Sequence, residues 1–80
     1  MNLITVYSKN DCRQCDYTKL ALSKKGIRYA EFNVDEDPQA MEFVKNMGYM
    51  SAPVVVVGFE HETMGGQHWS GLRPDKLSAL

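Results

Sequence analysis

Apolar and polar positions follow one another along the chain in short blocks of changing period. Leu3-Ile4-Thr5-Val6-Tyr7 is dense in β-branched and aromatic residues, which predicts a strand, and Ser8-Lys9-Asn10-Asp11 breaks it. Asp11, with Gln14 three residues on, makes a capping-box-like start. Tyr17, Leu20 and Ala21 then recur at helical spacing before Lys24-Lys25-Gly26, so a helix is expected near residues 12 to 25. Tyr29, Phe32 and Val34 predict a second strand within Ile27 to Val34. Asp37-Pro38 supplies a cap with proline in the first turn, and Ala40, Phe43, Val44 and Met47 repeat at i, i+3, i+4 and i+7, a second helix stopped at Gly48. Val54 to Val57 is a run of four valines, too short for a helix and apolar on both faces, so it is expected as a central strand covered on both sides and ended by Gly58. His61 to Gly66 reads as a hairpin tip, and His68 and Trp69, with Gln67 before them, as a short edge strand. Pro74 opens a last helix reaching Leu80.

The order strand, helix, strand, helix, strand, strand, helix implies an α/β sandwich with a right-handed βαβ unit at its N-terminus. No repeat or Pro/Ser-rich linker interrupts it, and 80 residues is too short to divide, so residues 1–80 are expected to form a single domain. Hydrophobic residues at 44% and charged residues at 24% exclude a disordered chain. Nine Lys and Arg against ten Asp and Glu leave a formal charge of -1, with no global positive field for a phosphate backbone, so no nucleic-acid partner is expected. Lys9, Asp11, Arg13, Asp16 and Lys19 leave no apolar N-terminal stretch for a signal peptide or a membrane span, which reads as a cytoplasmic protein with no membrane partner.

Two cysteines are present, Cys12 and Cys15, and a bridge between them closes too small a loop to staple a fold. Their use is chemical. They sit where a strand feeds a helix N-terminus, the context that distinguishes a redox Cys-x-x-Cys. At i and i+3 both sulfurs share one helix face, able to meet as a disulfide or stand as a dithiol. Cys12 is expected at the helix tip and toward solvent, where unpaired N–H groups and the positive end of the dipole stabilise a thiolate. Cys15 is expected one turn deeper, so that Cys12 attacks a substrate disulfide and Cys15 resolves the mixed disulfide. Lys9 and Arg13 add positive potential there, and Asp11 and Asp16 oppose it.

Cys12, Cys15, His61 and His68 count to the four ligands of a structural zinc, but six residues (62 to 67) separate the histidines, outside zinc-finger spacing. No metal site is expected. Haem attachment requires His after the second cysteine, and position 16 is Asp. Ala52-Pro53 opens the valine strand, where proline serves either a turn, a cis bond or a plain trans strand start. A cis bond leaves the preceding backbone free to pair with an incoming extended chain. Trp69 reads as a half-buried anchor, Gly71 as a turn residue and Arg73-Pro74 as a helix start.

Taken together, Cys12-Arg13-Gln14-Cys15 after a first strand, Ala52-Pro53-Val54 before a third, and Trp69-Ser70-Gly71-Leu72-Arg73-Pro74 near the end resemble the NrdH-redoxins, small glutaredoxin-like proteins. Leu72 stands where that family carries an aromatic residue and offers no ring for stacking, and Gly58 to Gln67 is longer than the family's tight turn. The resemblance implies a thioredoxin-like fold, a four-stranded mixed sheet with three flanking helices, with Pro53 in cis opposite the dithiol, Cys12 as nucleophile and Cys15 resolving. It implies no cofactor beyond the redox-active Cys12–Cys15 disulfide. Electrons are then expected to pass from NADPH through thioredoxin reductase to this protein, acting as a monomer, and on to the large subunit of a class Ib ribonucleotide reductase. Partner contacts are expected at Lys9, Arg13, Gln14, Ala52, Pro53, Trp69, Ser70, Gly71 and Arg73.

Two alternatives remain beside this one: a glutathione-dependent glutaredoxin, and a metal or iron–sulfur carrier binding through Cys12. Glutaredoxins hold the glutathione carboxylates with basic side chains and with N–H groups at the start of the last helix. Here Pro74 deletes one such donor and Leu72 is apolar, which weighs against glutathione.

Overall fold

Strand β1 (Asn2–Ser8) runs inside the sheet and takes hydrogen-bonding partners on both edges. The computed structural model describes residues 2–59 and 67–80, and the remaining elements are α1 (Arg13–Lys24), β2 (Ala30–Asn33), α2 (Pro38–Asn46), β3 (Val54–Phe59), β4 (Gln67–Ser70) and α3 (Pro74–Ser78). The strands order as β2-β1-β3-β4. β2 lies parallel to β1, from Thr5 opposite Ala30 to Ser8 opposite Asn33, while β3 and β4 each run antiparallel to their neighbours. The four-stranded mixed sheet with three helices is the architecture that the NrdH-redoxin resemblance implies.

Strand alternation divides the core into two layers. Ile4, Val6, Val55, Val57 and Trp69 pack with Leu22 of α1 and Leu77 of α3. On the other face Val34 and Val54 pack with Ala40 and Val44 of α2, with Tyr7 and Val56 against them. The four valines of β3 thus feed both layers, which is why this strand reads as continuously apolar.

Both long helices end in the same way. Past α1, Gly26 adopts a φ of 70° and donates to the Ser23 carbonyl while Ile27 donates to that of Leu22. Past α2, Gly48 adopts a φ of 91° and donates to the Lys45 carbonyl while Tyr49 donates to that of Val44. Each pair forms a Schellman cap, and Ile27 and Tyr49 pack back onto the layer that holds Leu22 or Val44.

That cap explains the first departure from the sequence-based expectation. Ile27 to Tyr29 are spent on leaving α1, so β2 begins at Ala30 rather than at Ile27. The start of α1 differs too: the cap is Cys12, not Asp11, and Asp11 instead turns the chain with a φ of 53°, a left-handed conformation that Asp tolerates. Asp37 does cap α2, accepting from the Gln39 and Ala40 amides, with Pro38 following it. Gly58 does not end β3, because β1 reaches back far enough to pair Leu3 with Gly58 and Asn2 with Phe59. The last helix stops at Ser78, where the Lys25 ammonium donates to the Leu77 and Ser78 carbonyls at 2.9 and 3.0 Å. Trp69, expected half-buried, is enclosed between β3 and the α1 and α3 side chains, with 4% of its surface exposed. The expected hairpin tip, His61 within it, lies outside the described residues.

Leu22 is fully buried beneath α1, whereas Leu20, two residues earlier on the opposite side of the helix, stays half exposed. Leu22→Ala should therefore cost ~2–5 kcal/mol of unfolding free energy, and Leu20→Ala under about 0.5 kcal/mol. Urea denaturation of the two variants checks the contrast, and equal midpoints would contradict this account of the core.

Candidate active site

The turn between β1 and α1 is held from the side by the loop that follows β2. The Asn10 amide donates to Asp35 Oδ2 at 2.9 Å, Asn33 Nδ2 donates to Asn10 Oδ1 at 2.9 Å, and the Asp35 amide donates to Asn33 Oδ1 at 2.8 Å. With Asp11 in its left-handed conformation, this clamp delivers Cys12 to the first position before α1.

Cys12 and Cys15 form a disulfide, with their Cα atoms 5.2 Å apart. The Cys12 sulfur also serves as the helix cap: Sγ accepts from the Cys15 amide at 3.1 Å. One of the unpaired donors of the helix start therefore already points at this sulfur, the interaction that stabilises a thiolate there when the bond opens. Cys12 is less open than expected, at 8% exposed against 1% for Cys15. The flanking Lys9, Arg13 and Gln14 are exposed.

Two other segments close around the dithiol helix. The Ala52-Pro53 bond is cis, Pro53 is buried, and its carbonyl accepts from the Gly71 amide at 2.8 Å. Ser70 Oγ meets Ser51 Oγ at 2.9 Å and donates to the Ser51 carbonyl at 3.1 Å. Gly71 has a φ of 86°, and a Cβ built there would stand 3.5 Å from Gln14 Oε1. The Leu72 amide donates to that same Gln14 Oε1 at 2.9 Å. Among the described residues the Ala52 backbone N–H and C=O make no hydrogen bond, and Ala52 shares a groove with Lys9, Tyr7, Met41, Tyr49 and Met50.

Two charge clusters near the site are paired, while Lys9 and Arg13 make no ion pair among the described residues. Arg73 Nε and Nη2 make a two-pronged contact with Asp75 Oδ1 and Oδ2 at 3.1 and 2.9 Å, which raises the guanidinium pKa and lowers that of the carboxyl. Beneath α1, Glu31 Oε2 accepts from Lys19 Nζ and from the buried Ser8 hydroxyl, both at 2.8 Å. The Lys19 bond and then the Ser8 bond hold the Glu31 carboxyl below its usual range, and the bond to Glu31 raises Lys19. His68 Nδ1 is engaged by the Tyr49 hydroxyl at 2.6 Å, and His61 lies outside the described residues.

Of the residues singled out from the sequence, Gln14, Pro53, Ser70 and Gly71 are joined by these bonds or by shared partners. Trp69 belongs to the core, and Arg13 touches none of them by hydrogen bond. The sequence reading did not find the Asn10–Asn33–Asp35 clamp, Ser51, or the Ser8–Glu31–Lys19 group. Apart from the local Asn33–Asp35 turn, their partners lie 19 to 25 residues apart, or 12 for Lys19, and no local spacing signals such contacts.

The glutaredoxin family model matches residues 4–62. The glutaredoxin-like protein NrdH of Escherichia coli strain K12 is 39% identical over 77 residues, covering 96% of this chain and 86% of that protein. Its namesake in Lactococcus lactis subsp. cremoris is 41% identical over 78 residues, covering 98% and 99%. The solved structure of NrdH-redoxin from Escherichia coli, described for the thioredoxin-like activity profile of this glutaredoxin-like protein, superposes with a TM-score of 0.83 at 39% identity, covering 96% of this chain and 92% of that one.

The Lys19–Glu31 pair sets a pH dependence. A carboxyl whose folded pKa is depressed contributes stability that is present above its unfolded-state pKa and is lost as pH falls through its folded value. Stability should therefore fall on acidification from about pH 7 to about pH 3, and by less in Lys19→Met, which keeps the apolar stem and removes the charge. The pair is partly exposed, so the difference should be under about 1 kcal/mol. Urea unfolding at the two pH values measures it, and an identical acid loss in both proteins would remove the Lys19–Glu31 pair as a contributor.

Proposed function

The chain belongs to the glutaredoxin family, as a thiol–disulfide oxidoreductase of the NrdH glutaredoxin-like kind with a thioredoxin-like fold, and on that premise we propose that it is reduced by thioredoxin reductase rather than by glutathione. The observation that carries this reading is the hydrogen bond from the Leu72 amide to Gln14 Oε1. A carboxylate of glutathione needs oriented backbone donors at the start of the last helix. The Leu72 donor is taken by a side chain of the dithiol motif itself, Pro74 has no N–H, and the Arg73 charge is held by Asp75. The thioredoxin-like activity profile described for the Escherichia coli relative supports the same reading.

In the proposed cycle the Cys12 thiolate attacks a sulfur of the substrate disulfide. One Cys12–substrate bond forms, the substrate S–S bond breaks, and the leaving sulfur departs as a thiolate that takes a proton from water. Cys15, as thiolate, then attacks the Cys12 sulfur, closing the Cys12–Cys15 disulfide and releasing the second substrate thiolate. Two electrons have moved from dithiol to substrate, and thioredoxin reductase returns them from NADPH. The cap bond from the Cys15 amide to Cys12 Sγ and the deeper burial of Cys15 support this division of labour. The free N–H and C=O of Ala52 offer an extended substrate segment a place to pair beside the disulfide. In this reading Lys9, Arg13, Gln14, Pro53, Ser70, Gly71 and Arg73 contact the partner, while Trp69 lies in the core. The acceptor we propose is the large subunit of a class Ib ribonucleotide reductase, in the cytoplasm, with the protein acting as a monomer.

Two experiments test the reading. Incubated with a disulfide substrate, Cys15→Ser should accumulate a mixed disulfide at Cys12, and Cys12→Ser should neither reduce the substrate nor retain it. Mass spectrometry decides, and an adduct on Cys12→Ser would reverse the roles. With an insulin-like disulfide as final acceptor, NADPH consumption should be fast with thioredoxin reductase and slow with glutathione and glutathione reductase. Comparable turnover with glutathione would return the protein to the ordinary glutaredoxins.

A further inference from the structure

Two serine hydroxyl groups close to the dithiol helix have partners. Ser8 donates to Glu31, and Ser70 donates to Ser51. Thr18 does neither: it is fully buried, and Oγ1 has no hydrogen-bond partner among the described residues. A threonine within a helix has a ready acceptor in the carbonyl of the preceding turn, yet this one takes none. A buried polar group left unpaired destabilises the state that contains it, so such a group calls for an explanation in another state of the protein.

Its place on α1 supplies one. Thr18 follows Cys15 by three residues, on the face that Cys15, Thr18 and Leu22 bury together. Side chains on a helix lean toward its N-terminus, so Thr18 covers the turn that bears Cys15 rather than its own. In the structure the Cys15 sulfur is bonded to that of Cys12 and carries no charge. Reduction converts it to a thiol or thiolate, an acceptor placed one turn from an idle donor in a site closed to water.

We propose that Thr18 is a positioning residue for the dithiol, its hydroxyl donating to the Cys15 sulfur when the disulfide is open and losing that partner when the disulfide closes. The bond favours the reduced protein and holds the Cys15 thiolate ready for the closing step. In that step the thiolate attacks the Cys12 sulfur, the Cys12–substrate bond breaks, the electron pair leaves on the substrate sulfur, and Thr18 returns to the unpaired state seen here. The equilibrium consequence rests only on the Cys12–Cys15 disulfide. The kinetic one also rests on the reading of Cys15 as the resolving sulfur.

Thr18→Val keeps the shape and deletes the donor, Thr18→Ser keeps the donor, and Thr18→Ala serves should valine not fold. Equilibrated in a dithiothreitol redox buffer and quantified by thiol alkylation, Thr18→Val or Thr18→Ala should raise the ratio of oxidised to reduced protein about tenfold, or ~30 mV for a two-electron couple. Thr18→Ser should stay within about threefold of the parent. Urea unfolding of both redox forms supplies the control: the valine change should destabilise the reduced form relative to the oxidised one, and a packing role alone would shift both equally. In single-turnover reduction of a disulfide substrate, the mixed disulfide of Thr18→Val should persist longer, with its decay displaced to higher pH. An unchanged ratio, or a shift that serine does not reverse, would overturn the proposal. Should the ratio shift while trapping assigns the resolving step to Cys12, the proposal stands for the equilibrium and the assignment of cysteine roles fails separately.

Discussion

Strand β1 is paired on both edges, to β2 on one side and β3 on the other, and it buries side chains on both faces of the sheet. Such a strand cannot slide, because a shift of one residue would turn Ile4 and Val6 out of their layer and unmake two ladders at once. The dithiol inherits that rigidity through a turn of three residues, Lys9 to Asp11. The turn is not left to itself: Asn10 is bound to Asn33 and Asp35, at the end of the strand lying parallel to β1. The position of Cys12 is therefore set by two adjacent strands, and the left-handed φ of Asp11 is the local cost of aiming the chain into α1.

Around this fixed sulfur the remaining segments are drawn together by backbone donors of a single stretch. Gly71 donates to the Pro53 carbonyl and Leu72 to the Gln14 side chain, so one short turn after β4 ties the Ala52-Pro53 loop to the dithiol helix. Glycine suits position 71 by its φ of 86°, a left-handed conformation that a side chain disfavours. The same two bonds give the site its chemical character. Donors that would otherwise face solvent are taken by the Pro53 carbonyl and the Gln14 side chain, Arg73 is matched by Asp75, and among the described residues the Ala52 backbone beside the disulfide stays unpaired.

The elements themselves were largely legible, for local reasons. Gly26 and Gly48 mark helix ends because a left-handed residue is needed to turn the chain back onto the carbonyls of the last turn, and Asp37-Pro38 marks a helix start because the carboxylate caps the amides that follow. Apart from the start of β2, which the cap of α1 displaces, the sequence reading erred where a distant partner had intervened. Gly58 remains in β3 because β1 extends to meet it, Trp69 is buried because α1 and α3 cover β4, and Cys12 rather than Asp11 caps α1 because the loop beyond β2 holds the turn in place.

The site divides along the same line. Cys12 and Cys15 were readable because a dithiol at i and i+3 of a helix start is a local arrangement, encoded in four consecutive residues and the strand before them. The bonds of Gln14 to Leu72 and of Ser51 to Ser70, and the burial of the Thr18 hydroxyl without a partner, join or isolate groups up to 58 residues apart along the chain. The sequence alone determines what depends on neighbours along the backbone: the helix and strand order, the Asp37 cap, the glycine ends of both long helices and the redox pair. The tertiary structure alone decides which donors are taken and which are left unpaired, because hydrogen-bond satisfaction is settled by what packs against each group, and packing follows the sheet order rather than the order of residues.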